Sequence, residues 1–296
     1  MRRVAKLLGL MALIAFGVYW GLTLPRHSDA QDVAAVTPDP TRGEVIFYAA
    51  GCKSCHTAEG AEGEEALKLG GGQKFPSPYG TFVAPNISPD PEHGIGSWSR
   101  ADFVSAVRFG TSPSGQHYFP AFPYASYIRM SDNDAVSLWA FMQTLPPVAT
   151  PNAPHEIAFP FNIRRNLGVW KTLYLDDGWI LDGDLSAEEA RGRYLVEGPG
   201  HCAECHTPRD ALGGLDTARW MAGAPNPSGR GTIPNLTPAK LDWSEADIAE
   251  YLTSGFTPDY DTAGGHMVKV IENTARLSDA DRQAIVAYLK ALPGRE

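Results

Sequence analysis

Two segments of this chain, residues 39–148 and 186–293, carry the same landmarks in the same order, so whatever fold the first adopts the second must adopt too. Arg42-Gly43 opens one unit and Arg191-Gly192 the other. A short stretch with helical spacing then leads, in each, to a Cys-x-x-Cys-His motif. Next come Pro85-Asn86-Ile87-Ser88-Pro89 and Pro234-Asn235-Leu236-Thr237-Pro238. Trp98-Ser99 ahead of Ala101-Asp102-Phe103 matches Trp243-Ser244 ahead of Ala246-Asp247-Ile248, with Gly110 and Gly255 placed to end those helices. Each unit finishes on a helix opened by Ser131-Asp132-Asn133-Asp134 or Ser278-Asp279-Ala280-Asp281 and stopped by Pro146 or Pro293. Ser186-Ala187-Glu188-Glu189 reads as a capping box at the start of the second unit. No segment sustains a two-residue alternation, which leaves an all-α architecture of two tandem domains of about 110 residues each.

The four cysteines are shared equally between the repeats, as Cys52-Lys53-Ser54-Cys55-His56 and Cys202-Ala203-Glu204-Cys205-His206. Two cysteines three apart on a helical turn meet the two vinyl groups on one porphyrin edge, and the following histidine brings its imidazole beneath the iron. This five-residue pattern is the attachment site of c-type haem. A redox dithiol has no need of histidine after the second cysteine, twice. A four-cysteine zinc site would draw the two pairs together, yet each pair holds the same place in its own repeat. The expectation is two covalently bound haem c groups on two cytochrome c-type domains, with His56 and His206 as the first axial ligands.

For the sixth ligand a methionine thioether, which stabilises ferrous iron, is the usual choice in electron carriers. Met267 follows Gly264-Gly265-His266 in what reads as the loop before the last helix, whereas Met221 lies only about 15 residues beyond His206, too close to reach the opposite haem face. The first repeat does not copy this. Aligning the final helices sets Met130 opposite Leu277 and Pro120 opposite Met267. Met130 is the expected ligand there, with other readings open: a hydrophobic staple before Ser131, His117 as ligand instead, Met142 inside the last helix, or a vacant sixth position. Trp98, Trp243, Arg108, Arg164 and Arg165 are candidate donors to haem propionates, against the plainer readings of core aromatics and solvated cations.

Arg2, Arg3 and Lys6 precede residues 7–24, which are uncharged. Positive charge before an apolar run keeps the start in the cytoplasm and sends the downstream chain across the membrane. Ser28-Asp29-Ala30 would serve a cleaved signal, but the run is long for a signal core and just reaches the length of a span. Tyr19 and Trp20 near its outer end suit the interface, so the anchor is the preferred reading. The expected divisions are an anchor or signal segment at 1–30, a first domain at 36–148, a connector at 149–185 and a second domain at 186–296. Phe159, Phe161, Trp170 and Tyr174 make the connector too aromatic for a free tether, so it should pack across both domains. A net charge of −9 without clustered Lys and Arg argues against nucleic acid as a partner.

Several motifs together resemble one family, over nearly all of the chain after the amino terminus. They are Ala84-Pro85-Asn86-Ile87-Ser88-Pro89-Asp90, Gly94-Ile95-Gly96-Ser97-Trp98-Ser99, Tyr118-Phe119-Pro120-Ala121-Phe122-Pro123-Tyr124, and Gly198-Pro199-Gly200-His201-Cys202 running on to His206-Thr207-Pro208-Arg209. In this the chain resembles the multihaem cytochrome c subunits of periplasmic alcohol, gluconate and related dehydrogenases of Gram-negative bacteria. Members often have methionine where this chain has Phe122, a departure that moves weight to Met130. Members commonly carry three haems; here there are two motifs. The resemblance implies an electron carrier, not itself an enzyme, held on the periplasmic side of the inner membrane. It would take electrons from a periplasmic dehydrogenase or other redox donor and pass them to a cytochrome, oxidase or quinone of the respiratory chain. A haem enzyme such as a dihaem peroxidase or thiosulfate dehydrogenase is the alternative, and a haem-based sensor lacks an output domain. Because both attachments are thioether bonds, two haems per chain should survive denaturation. A pyridine haemochrome assay that returned one or none would remove the reading.

Overall fold

A computed structural model describes residues 1–226 and 231–295; residues 227–230 and 296, which fall within the expected range 186–296, lie outside the described residues. Helices α1 (Arg2–Leu22) and α2 (Ala30–Ala35) precede the first repeat. That repeat holds α3 (Pro40–Ala49), the motif turn α4 (Cys52–His56), α5 (Arg100–Phe109), α6 (Tyr124–Tyr127) and α7 (Asp132–Met142). The connector holds α8 (Leu167–Tyr174). The second repeat holds α9 (Ala187–Glu197), the motif turn α10 (Ala203–His206), α11 (Glu245–Ser254), α12 (His266–Thr274) and α13 (Asp279–Ala291). The fold is thus mostly helical, as expected. It also contains two small antiparallel sheets the sequence did not announce: β1 (Lys74–Ser77), β2 (Gly80–Val83) and β3 (Glu156–Ile157) in one, β4 (Ala224–Pro225) and β5 (Thr232–Ile233) in the other. Strands of two to four residues are too short for a period to show.

Local signals place the helix ends. The side chains of Ser99, Ser186 and Ser244 cap α5, α9 and α11, each in a reciprocal box with Asp102, Glu189 or Asp247. Ser131 and Ser278 cap α7 and α13 by accepting from the amides of Asp134 and Asp281. Gly110 and Gly255 close α5 and α11 in the left-handed region, at φ 59° and 79°.

In each domain the first and last helices cross with backbone touching backbone. A Cβ on Gly43 of α3 would lie 2.0 Å from the Ser137 carbonyl oxygen of α7, and one on Gly192 of α9 would lie 1.8 Å from that of Ala284 on α13. Only glycine permits that approach. Beside each crossing the preceding arginine pairs with an aspartate in the first turn of the opposite helix. Arg42 bonds Asp134, and Arg191 Nε donates to Asp281 Oδ1 at 2.8 Å. The repeated Arg-Gly and Ser-Asp-x-Asp motifs are therefore the two halves of one clamp. Around the first clamp pack Ile46, Phe47, Phe103, Val104, Val136 and Leu138; around the second, Leu195, Val196, Ile248, Ile285, Val286 and Leu289. Each such burial is worth about 1.5–3 kcal/mol.

The connector is packed against both domains. Lys171 Nζ donates to the carbonyls of Phe109 and Gly110 at 2.5 and 2.7 Å, completing the end of α5. On the other side Trp170 Nε1 donates to Leu212 O at 3.1 Å and Tyr174 Oη to Asp210 Oδ2 at 2.7 Å. The domains also touch directly: Tyr48 of α3 packs against the second core, and Tyr194 of α9 packs against the first and bonds Asp134. Replacing Gly43 or Gly192 by alanine should destabilise the protein by about 1–3 kcal/mol, the usual range for overpacking, read as a lower denaturant midpoint. An unchanged midpoint would mean that the crossing is not under this constraint.

Candidate haem sites

Each Cys-x-x-Cys-His motif forms a single helical turn, so its cysteines share a face. The first cysteine, Cys52 or Cys202, is half-buried and the second, Cys55 or Cys205, exposed. The histidine of each is held twice, in the same way. His56 Nδ1 donates to Pro85 O at 2.8 Å and His206 Nδ1 to Pro234 O at 2.8 Å. A carbonyl can only accept, so the proton is on Nδ1 and the Nε2 lone pair points away, ready for a metal. Burial lowers the pKa of both imidazoles and keeps them neutral. Behind each histidine, its own carbonyl accepts from the amide of Gly71 or Gly223, both at 2.8 Å. These glycines have φ of 74° and 81°. A Cβ there would lie 2.5 Å from Ala84 O or 2.7 Å from Ile233 O. Sequence reasoning passed over both, although each stands two residues after a matched apolar pair, Leu69 and Met221.

The Pro-Asn-x-Ser/Thr-Pro motif supplies the holding carbonyl. Asn86 Oδ1 accepts from Ser88 N, while its Nδ2 donates to Val148 O and Thr150 O at 2.6 and 3.0 Å. Asn235 Oδ1 accepts from Thr237 N, and its Nδ2 donates to Arg295 O at 2.8 Å. Each asparagine thus ties the prolyl carbonyl that orients the ligand to the chain just beyond the last helix of its domain.

These residues fit covalent haem and fit the other readings poorly. Burial pushes the Cys52 and Cys202 thiols up to about 12, so neither is a free thiolate at neutral pH, the form that redox exchange requires. The four cysteines are unpaired with one another, and among the described residues no three His, Cys, Asp or Glu converge on a metal position.

Met130 is 1% exposed, in the core cluster against which Cys52 packs. Met267 is half-buried against the cluster that also receives Cys202. It lies not in a loop but in the first turn of α12, just after Gly265 at φ 58°. Met221 occupies the place of Leu69: both are fully buried, and their carbonyls accept from Leu236 and Ile87. Met142 is likewise core. His117 Nε2 donates to Thr23 O at 3.0 Å. Arg108 is spent on Asp132 and Ile128 O, Arg165 on Thr23 Oγ1 and Trp20 O, and Arg164 on His117 O. Trp98 and Trp243 pack against the two cores.

The two motif turns lie back to back across the domain interface. Ala50 O, two residues before Cys52, accepts from Tyr127 Oη at 3.0 Å and from His201 Nε2 at 3.2 Å, and His201 adjoins Cys202. Ser54, between the first pair of cysteines, accepts at its Oγ from Asn273 Nδ2 (2.8 Å) and at its carbonyl from Lys269 Nζ (3.2 Å), both on α12. Glu204, between the second pair, accepts from Ser126 Oγ at 3.2 Å.

Comparison with known proteins agrees with this geometry. The cytochrome c family model matches twice, at residues 40–146 and 189–293. A diheme c-type cytochrome of Cereibacter sphaeroides is 58% identical over 97% of both chains. The cytochrome subunit of fructose dehydrogenase from Gluconobacter japonicus is 37% identical over 88% of this chain and 54% of that subunit. The cytochrome c subunit of alcohol dehydrogenase (quinone) from Gluconobacter oxydans is 36% identical over 98% of this chain. This chain spans 60% of that last subunit's length.

Gly223→Val should disorder the second histidine turn alone, so purified protein should carry about half the haem of the wild type, with the first motif's peptide still modified by mass spectrometry. Full loading of both motifs would show that Gly223 is not needed to shape the cradle.

Proposed function

The chain belongs to the cytochrome c family as a dihaem member with two haem c groups, and on that premise we propose that it is an electron carrier rather than an enzyme. It would pass single electrons from a periplasmic dehydrogenase or other donor to a cytochrome, oxidase or quinone of the respiratory chain. The observation that carries this reading is the shared interface of the two motif turns, where His201 beside one site bonds Ala50 beside the other. Such contact serves transfer between two centres within one molecule. Haem c, when bound, supplies a one-electron iron couple. The chain's residues do the rest. Cys52, Cys55, Cys202 and Cys205 fix the porphyrins covalently, and His56 and His206 offer Nε2 while Pro85 and Pro234 hold the proton on Nδ1. The alcohol and fructose dehydrogenase subunits among the relatives suggest the class of donor.

The proposed sixth ligands are Met130 and Met267. Met130 is supported by complete burial in the cluster that receives Cys52, a cluster to which His117 does not belong. Met267→Ala should abolish the long-wavelength sulfur-to-iron charge-transfer band of one haem and Met130→Ala that of the other. If Met130→Ala leaves both bands, Met130 is only the apolar residue before Ser131, as Leu277 is before Ser278. A high-spin wild-type haem would turn the reading toward an enzyme.

Retention of α1 as a membrane anchor is part of the proposal. The helix has 21 residues, about 32 Å at 1.5 Å per residue, against a hydrocarbon core of about 30 Å. Its outer end has partners of its own: Thr23 is fully buried, with its carbonyl on His117 and its hydroxyl on Arg165. Cleavage after Ala30 would strip those partners away. The protein should stay with membranes through a high-salt wash and keep its amino terminus near Met1; sequencing that began at Gln31 would establish a cleaved signal.

A further inference from the structure

We infer that the connector is a second membrane contact, with Phe159, Phe161, Ile163, Val169 and Leu173 entering the outer leaflet beside the exit of α1. This rests on the anchor reading and goes beyond it. The five side chains are exposed, Phe159 by 78%, Leu173 by 60% and Phe161 by 51%, on a segment whose other aromatics are packed. Val169 and Leu173 are four apart and share one face of α8. That face lies next to the one formed by Gly168 and Thr172, which α8 turns to α1: a Cβ on Gly168 would meet Thr23 Cα at 2.6 Å, and Thr172 Oγ1 donates to Leu22 O at 3.3 Å.

The depth of the connector is set by α1 itself. Tyr19 lies almost one turn inside the outer end of α1, at the level where amphipathic aromatics meet the headgroups. Its hydroxyl donates to Asn166 Oδ1 at 2.8 Å, at the start of α8. Arg165 stacks over the Trp20 ring at 3.9 Å and donates to Trp20 O at 2.8 Å. With α1 in the bilayer, α8 is therefore fixed in the interfacial layer, and apolar side chains exposed there meet lipid rather than water. The charge pattern agrees. Arg164 and Arg165, bonded to His117 O and Trp20 O, lie beside the exit of α1, and the chain becomes acidic at Asp176 and Asp177 as it leaves α8. A lipid surface is thus the occupant. Two attachment points, in place of one flexible stalk, fix the tilt of both haem domains over the membrane.

The test uses the full-length haem-loaded protein in vesicles of phosphatidylethanolamine and phosphatidylglycerol containing a phosphatidylcholine with a photoactivatable acyl chain. Mass spectrometry maps the crosslinked residues after illumination. Crosslinks in α1 and also at residues 159–173 are expected. Phe159→Ser, Phe161→Ser and Leu173→Ser combined should remove the second set several-fold and leave the first, with both haems and their spectra unchanged. Crosslinks confined to α1 would overturn the proposal while the anchor stands, including the case in which the patch serves a protein partner. Crosslinks in neither segment, with an amino terminus at Gln31, would overturn the anchor and the proposal together.

Discussion

Everything else in each domain depends on two helices approaching closely enough for a side chain of one hydrogen atom. The crossings at Gly43 and Gly192 bring the first helix of each domain against the carbonyls of the last. The first helix leads directly into the motif turn. The last helix is followed by the chain segment that the asparagine of the Pro-Asn motif holds. Widening the crossing by one methyl group would push apart the two elements between which the histidine and its carbonyl partner are aligned. The site's geometry is therefore a consequence of helix packing, carried to the imidazole through Pro85 or Pro234.

The duplication has been kept where it shapes the histidine side and relaxed on the opposite side. The Nδ1 bond, the glycine amide on the histidine carbonyl, the asparagine tie and the arginine clamp recur with the same partners. By contrast Met130 stands where Leu277 stands, and only the last turn of α12 has a counterpart in the first repeat, the short α6, while Pro120 stands where Met267 opens α12. The freed surface was put to use. Lys269 and Asn273 of α12 reach across to Ser54, so the helix bearing the candidate ligand of one site braces the motif turn of the other.

Most of the fold could be read before the structure because its determinants are local and stated twice. Serine caps, stop prolines and left-handed glycines are short-range signals, and agreement between repeats removed their ambiguity. The small sheets escaped because two to four residues carry no period. Helix α12 escaped because Val268, Val270 and Ile271 are β-branched and Gly265 is a weak cap, so the segment around Met267 reads as loop. At the site, the cysteines and histidines were legible from spacing alone. Gly71 and Gly223 were not, since what demands glycine is a carbonyl folded back from Ala84 or Ile233, visible only in three dimensions. The partners of the arginines named as candidate propionate donors were not legible for a related reason: sequence shows a cation but not the carbonyl or carboxylate that lies beside it.

Asp134 joins two roles that are usually separate. It closes the clamp of the first domain through Arg42 and also accepts from Tyr194, a residue of α9 that lies two positions beyond Gly192 in the second clamp. A hinge between the domains would have to break the bond from Tyr194 to this carboxylate, together with those from His201 to Ala50 and from Asn273 to Ser54. The two halves are thus tied together at several points. For a carrier of the kind proposed, packing then sets the separation of the two haem sites, and no swing of one half against the other is needed to bring them together.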